Sequence, residues 1–272
     1  MDREEPMIFD THAHYDDEAF APDREEVISS LTGCGVRRVV NVGANRQSTE
    51  ASLALAERYP FFRAAVGVHP SDTGEFESGQ ADLDWLRRCA AHPQAVAVGE
   101  IGLDYHWDTP DRPIQKKWLE AQLAVARETD LPVIIHSREA AQDTLEIIKA
   151  AGGADFSMVI HCFSYHVEMA REYLNLGYYL GIGGVVTFTN GQKLKEVVRY
   201  MPLDRILLET DCPYLAPVPH RKHHERNWSG FLPLVVEEIA RLKSVAPEEV
   251  ERVTWQNACR FYRLPEIPEQ GC

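Results

Sequence analysis

The chain has 272 residues, of which 44% are hydrophobic and 26% are charged, and its formal net charge is −14. This composition is typical of a globular protein and excludes a long disordered chain, while the length is near that of one α/β barrel. The acidic charge argues against tight, nonspecific DNA binding, which usually needs a basic face. It is compatible with weak and transient binding of a phosphate-bearing substrate.

The amino-terminal residues 1–6 are net acidic, and the apolar run after them is too short for a signal peptide or a membrane span. We therefore expect a cytoplasmic protein, or a nuclear one, that does not associate with a membrane. The six cysteines show no C-x-x-C spacing, which predicts reduced thiols rather than a disulfide framework. They are Cys34, Cys89, Cys162, Cys212, Cys259 and Cys272.

Short apolar runs alternate with longer amphipathic segments along the chain. The runs predict eight strands, at residues 8–10, 38–42, 62–66, 95–98, 133–135, 158–160, 178–182 and 205–208. The segments predict helices at residues 24–31, 50–59, 82–91, 114–129, 140–150, 167–176, 191–200 and 231–243. A last predicted helix begins near residue 247, runs toward residue 262 and covers one side of the barrel that these elements form.

This order of strands and helices predicts the fold class. Alternating β and α units favour a parallel sheet, and eight such units in this length favour a closed (β/α)8 barrel of the TIM type. An open nucleotide-binding sheet is the alternative, but the glycine cluster at residues 181–184 lacks the G-x-G-x-x-G spacing and comes late in the chain. We predict a single barrel domain over residues 1–272.

Histidine and carboxylate residues stand where several predicted strands end. His12 and His14 are two residues apart, and residues with that spacing in a strand point to the same side, so both can reach one metal ion. Four more candidate ligands each follow a short apolar run: Glu100, His136, His161 and Asp211. A single such histidine is more often a packed or exposed residue, but barrel enzymes collect their catalytic groups from these strand ends, so the set predicts a metal site.

The residue types indicate which metals would fit. Imidazole and carboxylate ligands suit zinc, iron, nickel or manganese, and the absence of thiolate ligands argues against a closed structural zinc site. Six ligands exceed the need of one tetrahedral zinc ion. Two divalent metal ions that share a bridging carboxylate would use all six, and the identity of the metals, magnesium included, stays open.

Six motifs follow one another as in a known family. They are FDTHAH at residues 9–14, GVHP at 67–70, GEIGLDY at 99–105, IHSREA at 135–140, HCFS at 161–164 and LLETDCPYLAP at 207–217. In this order they resemble the TatD family of metal-dependent hydrolases over nearly the whole chain. The resemblance implies an amidohydrolase-like (β/α)8 barrel and a divalent-metal-dependent deoxyribonuclease that acts as a 3′ to 5′ exonuclease.

The resemblance also implies roles for single residues. One metal ion would be held by His12, His14 and Asp211 and the other by His136 and His161, with Glu100 bridging the two. Asp211 would in addition be the partner of the attacking water. The expected partners are therefore divalent metal ions and DNA, or another phosphodiester, with no obligatory protein partner.

Three further residues near these motifs are candidates with two interpretations each. His69 either faces the substrate phosphate as a catalytic group or only shapes the turn before Pro70. Glu209, two residues before Asp211 and expected on the same strand face, either orients a ligand or the water or is a buried structural carboxylate. Asp104 either orients a ligand or caps a turn.

Some segments depart from the family pattern and leave the substrate open. The basic run at residues 220–227 would contact phosphates or form an exposed polar loop, and Trp228 follows it where the family commonly has an acidic residue and a proline. Tyr165 and His166 replace a turn of small residues, where they would narrow the pocket or stack on a base. Trp107 offers a further stacking surface or packs at the rim.

Two other classes of function are compatible with the same residues. A hydrolase that cleaves an ester or amide bond would use the same bound metal and activated water. A scaffold protein with a vestigial site is the third class, and the presence of all six ligand residues argues against it.

Overall fold

The computed structural model describes residues 7–76 and 79–266. The acidic segment at residues 1–6 and Cys272 lie outside the described residues. Within them the chain forms eight strands: β1 (Ile8–Ala13), β2 (Val36–Val42), β3 (Phe62–Val66), β4 (Ala95–Asp104), β5 (Val133–Arg138), β6 (Met158–Ile160), β7 (Tyr179–Ile182) and β8 (Ile206–Leu208). All neighbouring strands are parallel and pair in chain order, so they form the nearly closed barrel that the sequence predicted.

Helices follow the strands around the outside of the barrel. They are α1 (Arg24–Ser30), α2 (Arg46–Arg58), α3 (Gln80–Ala90), α4 (Arg112–Thr129), α5 (Ala141–Ala150), α6 (Val167–Asn175), α7 (Gln192–Tyr200), α8 (Leu232–Lys243) and α9 (Pro247–Phe261). Every predicted helix is confirmed, with ends that differ by up to four residues. In α4, for example, the apolar residues Trp118, Leu119 and Leu123 are buried on one face, and the helix ends where Asp130 takes a left-handed backbone conformation.

Three strands run past their predicted carboxyl ends. β1 continues to Ala13, β4 to Asp104 and β5 to Arg138, so Glu100 and His136 lie within strands rather than after them. The pairing of β4 with β5 shifts register between Val98 and Ile101, which indicates a bulge at that point. A bulge changes the direction of the side chains next to it. Glu100 lies at this bulge, so the alternation of side chains along a regular strand does not predict which way it points.

The barrel closes through a short junction between its last and first strands. β8 ends at Leu208, but the chain after it runs on beside β1, where Ala13 and Cys212 form a parallel bridge. The amide of Asp211 donates to the carbonyl of His12 at 2.9 Å, and the amide of His14 donates to the carbonyl of Cys212 at 2.9 Å. This junction therefore fixes Asp211 beside the two histidines of β1.

Two apolar layers hold the barrel together. Strand residues such as Ile8, Val39 and Ile135 pack outward against the helices. Alternate strand residues pack inward, together with a cluster from the end of α9: Trp255, Ala258, Cys259, Phe261 and Tyr262. The last helix was predicted to cover one side of the barrel, and its contacts with Phe9 and Tyr179 place it over the end where the strands begin.

The structure bears on the predictions about membrane spans and about the cysteines. Among the described helices, none combines the length and the hydropathy that crossing a membrane requires. The five described cysteines are free thiols, as the sequence predicted: Cys34, Cys89, Cys162, Cys212 and Cys259.

Candidate metal centre

A cleft of about 730 Å³ opens at the end of the barrel where the strands finish. Its floor contains His14, Glu100, His136, His161 and Asp211, while His12 is buried directly beneath them. The structure therefore brings all six ligand residues of the sequence prediction together, although they come from five strands or strand ends. These ends meet because parallel strands in a closed barrel all finish on one face.

The first group of potential ligands lies between β1 and the junction after β8. The Nε2 atoms of His12 and His14 are 3.1 Å apart, which confirms that the two rings point to the same side of β1. The Oδ1 atom of Asp211 is 3.4 Å from Nε2 of His14 and 3.8 Å from Nε2 of His12. His12, His14 and Asp211 thus offer three ligand atoms within 4.8 Å of one another.

The second group consists of Glu100, His136 and His161, and Glu100 also reaches His12 of the first group. The Oε2 atom of Glu100 is 3.4 Å from Nε2 of His12, whereas its Oε1 atom is 2.6 Å from both Nδ1 of His136 and Nε2 of His161. One oxygen of the carboxylate therefore faces His12, and the other faces His136 and His161. This arrangement fits a bridging carboxylate between two cations, which the resemblance implied for Glu100.

The spacing of the ligand atoms fits a metal ion. Zinc binds imidazole nitrogen at about 2.0–2.1 Å, so two ligands of a tetrahedral ion lie about 3.3 Å apart. The separations of 3.1 Å between the rings of His12 and His14 and of 3.4 Å between His14 and Asp211 are close to that value. The remaining ring nitrogens, Nδ1 of His12 and Nδ1 of His161, are buried and form no hydrogen bond.

Without a bound cation, His14 and His136 are protonated at neutral pH. Burial by itself lowers the pKa of His14, but hydrogen bonding and attraction to Asp211 outweigh it and raise the pKa to about 9. His136 shows the same balance, since Glu100 and Asp104 overcome burial and raise its pKa to about 9. Burial opposes ionisation of Glu100, yet the surrounding histidines hold its pKa well below the ordinary range. A cation that binds here must displace the histidine protons.

Asp104 orients one of these histidines. Its Oδ2 atom lies 3.0 Å from Nε2 of His136, so Nε2–H donates to the carboxylate, and once the ring loses its second proton, Nδ1 is the nitrogen that can present a lone pair to a cation. Its Oδ1 atom accepts from the amides of His106 and Trp107, which caps the turn after β4. Both interpretations of Asp104 are therefore present in one side chain. Gly102 allows β4 to approach this closely, because a Cβ there would lie 1.9 Å from the carbonyl oxygen of His136.

Glu209 lies beside the second group, although not for the reason that the sequence suggested. β8 ends at Leu208 and Asp211 has a φ of 57°, so Glu209 and Asp211 do not share a strand face. The Oε1 atom of Glu209 accepts from the amide of Cys162 at 2.5 Å and is 3.9 Å from Nδ1 of His161. Gly181 makes this possible, since a Cβ there would lie 2.1 Å from the carboxylate. Burial raises the pKa of Glu209 to about 8.

His69 lines the cleft and also shapes a turn. Its Nδ1 atom accepts from the amide of Ser71 at 3.2 Å, which caps the short helix Pro70–Glu75. Its Nε2 atom is 3.8 Å from Oε1 of Glu100. Burial and the neighbouring His136 lower the pKa of His69 to about 3, so the ring is neutral at physiological pH. Because Nδ1 is an acceptor, Nε2 carries the hydrogen and faces the cleft as a donor.

The basic run at residues 220–227 does not line the cleft. Arg226 is bound to Asp23 through two hydrogen bonds, and Arg221 lies over the ring of Phe188. Asn227 donates to the carbonyls of Thr210 and Tyr214, which braces the junction that carries Asp211. These residues are absent from the described lining of the cleft, and the pairing of Arg226 with Asp23 favours the polar-loop interpretation of this run over contact with phosphates.

The other departures from the family pattern also lie away from the cleft. The hydroxyl of Tyr165 bonds to Ser137 and accepts from the amide of Ala140, and its ring packs in the outer core. His166 stands at the start of α6, and Trp228 packs against the outer core. Neither a narrowed pocket nor base stacking by Tyr165 or His166 agrees with these positions. Trp107, in contrast, lines the cleft and is 66% exposed.

Sequence reasoning missed several residues of this site. Asp10 is fully buried and accepts from the amide and hydroxyl of Thr210 and from the hydroxyl of Ser229, so it anchors the junction next to Asp211. Burial raises its pKa to about 6. Arg138 is the one lysine or arginine among the described lining residues. Its position two residues after His136 was the signal that could have identified it.

Comparison with known sequences places this site in context. The family model described as TatD related DNase matches residues 9–263. YabD of Bacillus subtilis (strain 168), described as an uncharacterized metal-dependent hydrolase, is 43% identical over 258 residues, which cover 95% of this chain and 100% of YabD. A protein of Erwinia tasmaniensis described as the 3′-5′ ssDNA/RNA exonuclease TatD is 35% identical over 261 residues, covering 94% of this chain and 100% of that one.

Solved structures agree with the sequence comparison. The crystal structure of YJJV, a TatD homologue from Escherichia coli K12, superposes with a TM-score of 0.86 at 30% identity. The match covers 95% of this chain and 98% of that one.

Proposed function

Because the chain belongs to the TatD-related DNase family of metal-dependent hydrolases, we propose that it is a nuclease that removes nucleotides from the 3′ end of a DNA or RNA strand. The observation that carries the proposal is the position of Glu100, whose two oxygens face two groups of histidines on the floor of one open cleft. We place this function in a single barrel domain. The free described thiols support a cytoplasmic location.

The residues present fit two divalent cations. We propose that His12, His14, Glu100 and Asp211 hold one ion and that Glu100, His136 and His161 hold the other. When bound, such ions acidify a water molecule and offset negative charge on the phosphate oxygens. The mixed imidazole and carboxylate set does not select one metal, and zinc, manganese, iron, nickel and magnesium remain candidates.

The chain's own residues supply the remaining parts of a phosphodiester hydrolysis. The interactions with His14 and the other histidines overcome the effect of burial and hold the pKa of Asp211 below its ordinary value, so it is ionised at physiological pH. Its side chain is 18% exposed and faces the cleft, where it can accept a proton from the attacking water. His69 is neutral, and its Nε2–H can donate to a phosphate oxygen.

Two further side chains act on the ligands. Asp104 keeps His136 in the tautomer that presents Nδ1 to the site, so we assign it a positioning role. Glu209 holds the turn of His161 and Cys162 through its bond to the Cys162 amide. We propose that Glu209 also acts by positioning, because its carboxylate accepts from the Cys162 amide at 2.5 Å and lies 3.9 Å from Nδ1 of His161.

The experiment is hydrolysis of single-stranded DNA labelled at its 5′ end by metal-stripped protein to which Mg²⁺, Mn²⁺ or Zn²⁺ is returned separately. We expect stepwise shortening from the 3′ end that requires metal and is lost in the Asp211→Ala and His136→Ala variants. His92→Ala is the matched control, since His92 is a partly exposed histidine paired with Glu57 and does not line the cleft.

The same assay separates the alternatives. Intact DNA under every metal, together with turnover of acylated amines or esters, would replace the nuclease by an ester or amide hydrolase. Nuclease activity that survives both substitutions would show that it belongs to a contaminant and not to this site.

A further inference from the structure

Two strongly exposed aromatic side chains line the same cleft. Trp107 is 66% exposed and Tyr214 is 55% exposed, and these are the highest values among the large hydrophobic side chains of the described residues. Trp107 follows β4 and Tyr214 follows β8, and these strands lie opposite each other in a barrel of eight strands in chain order. The two rings therefore stand on opposite sides of the metal centre. An exposed aromatic ring at the mouth of a cleft offers a face on which a base can stack.

Trp107 is held in place and stands next to Arg138, the one lysine or arginine among the described residues that line the cleft. Its amide donates to Oδ1 of Asp104 at 3.2 Å, so the loop that carries the ring is tied to the residue that orients His136. The guanidinium carbon of Arg138 lies 5.9 Å from the centre of the Trp107 ring. An aromatic face and a guanidinium group side by side offer a surface for a base and a charge for a phosphate.

The other wall of the cleft repels phosphates. Asp16, Asp17 and Glu18 follow β1, and Asp72 follows β3, and all four residues line the cleft. Tyr214 donates its hydroxyl to Oδ2 of Asp17 at 2.8 Å, so that ring is tied to the acidic wall. A nucleic acid backbone is therefore attracted to one side, where Arg138 stands, and kept from the other.

We propose that Trp107 is the specificity-determining residue of the cleft, stacking on a base next to the phosphate that is cleaved while Arg138 contacts a neighbouring phosphate. This proposal rests on the proposed nuclease function. A base in a duplex has both faces covered by its neighbours, so stacking on Trp107 requires an unpaired base. The cleft thus accepts the frayed or single-stranded end of a strand and excludes a paired one.

The test combines protein variants with strands that lack one base. The proteins are wild type, Trp107→Ala, Trp107→Phe and Tyr200→Ala, and Tyr200 serves as an exposed aromatic residue outside the cleft. The strands are oligodeoxynucleotides with normal bases, or with an abasic nucleotide at the last or at the next-to-last position. Stacking of one base predicts that Trp107→Ala raises KM on the normal strand roughly 5- to 150-fold, with Trp107→Phe near wild type and Tyr200→Ala unchanged.

The abasic strands decide whether stacking is the cause. At one of the two positions, loss of the base should raise the KM of wild type and leave that of Trp107→Ala unchanged, so that the two proteins become equal. A loss of the same size on normal and abasic strands, or no loss, would overturn the proposal. If wild type cleaves no strand, the proposed function fails, and binding then tests the stacking separately.

Binding is measured in the Asp211→Ala background with Mg²⁺, by quenching of tryptophan fluorescence on addition of oligothymidylate. Stacking predicts quenching that disappears when Trp107→Phe is added. Quenching of equal size in both proteins, or strand binding without quenching, would contradict the proposal.

Discussion

The substitution Asp104→Asn tests how the site prepares His136 for metal binding. In the native protein Nε2–H of His136 donates to Oδ2 of Asp104 at 3.0 Å, so the neutral ring that a metal ion requires directs its Nδ1 lone pair at the site. Asparagine has the same shape, and its oxygen must face the two amide donors of His106 and Trp107 that Oδ1 now accepts. Its NH₂ group then faces His136, whose Nε2 must become an acceptor. The hydrogen moves to Nδ1 and blocks the ligand position.

The expected loss of metal affinity follows from the contact of Asp104 with one candidate ligand, His136. Replacing a residue that orients a metal-bound histidine costs roughly 10- to 100-fold in metal affinity, which is about 1.4–2.8 kcal/mol. The site formed by Glu100, His136 and His161 should lose this amount. The site formed by His12, His14 and Asp211 does not contact Asp104 and should change little. The turn after β4 keeps its cap, so the fold should be retained.

The assay is calorimetric titration of metal-stripped protein with Zn²⁺, together with circular dichroism to check the fold. Asp84→Asn is the matched control, because Asp84 is an exposed carboxylate on α3 that pairs with Arg87. Wild-type affinity at both sites in Asp104→Asn would refute the reasoning and reduce Asp104 to a turn cap. A comparable loss at both sites would show that the two ions do not bind through the separate groups that the geometry indicates.

Three further outcomes follow from the same structure. Since the pKa values of His14 and His136 are raised to about 9 and each histidine belongs to a different site, the metal affinity of each site should rise by about one log unit per pH unit between about pH 7 and 9, and an affinity independent of pH would contradict this. Arg138→Gln should lower the slope of log affinity against log salt for single-stranded DNA by about 0.7, whereas an unchanged slope would show that Arg138 contacts no phosphate. Glu209→Ala should lower the free energy of unfolding by about 1–3 kcal/mol, because the Cys162 amide loses its acceptor, while Glu209→Gln keeps that bond. Burial raises the pKa of Glu209 from 4.5 to about 8, so the free energy of unfolding of the wild type falls as pH rises through this range. Glu209→Gln cannot ionise, and urea unfolding near pH 8 should therefore show it to be at least as stable as wild type. Equal losses of stability in Glu209→Ala and Glu209→Gln would contradict this.

The order of elements could be predicted from the sequence because the strands are short apolar runs bounded by turns. What could not be predicted was where β4 and β5 end. Each continues past a polar residue that lines the cleft, Glu100 in β4 and His136 in β5. A polar residue in a strand has the same appearance in sequence as a loop residue, so hydrophobic periodicity ends the strand too early.

The candidate ligands could be found because their residue types recur after strands, but the groups around them depend on long-range contacts. Arg226 pairs with Asp23, which is 203 residues away in the sequence, so this contact depends on the closure of the barrel. Trp107 and Tyr214 become one feature only when β4 and β8 are known to face each other. A single sequence contains no signal for either relation.

The helix over the start of the strands has a consequence for how the chain is made. Tyr262 donates its hydroxyl to the carbonyl of Thr11 across a separation of 251 residues, and its ring stacks on Phe9. β1 therefore acquires its contacts with α9 only after the chain as far as Tyr262 has been synthesised. Until α9 docks, the apolar residues that it covers are open to water, and such transiently exposed surface favours aggregation of a nascent chain.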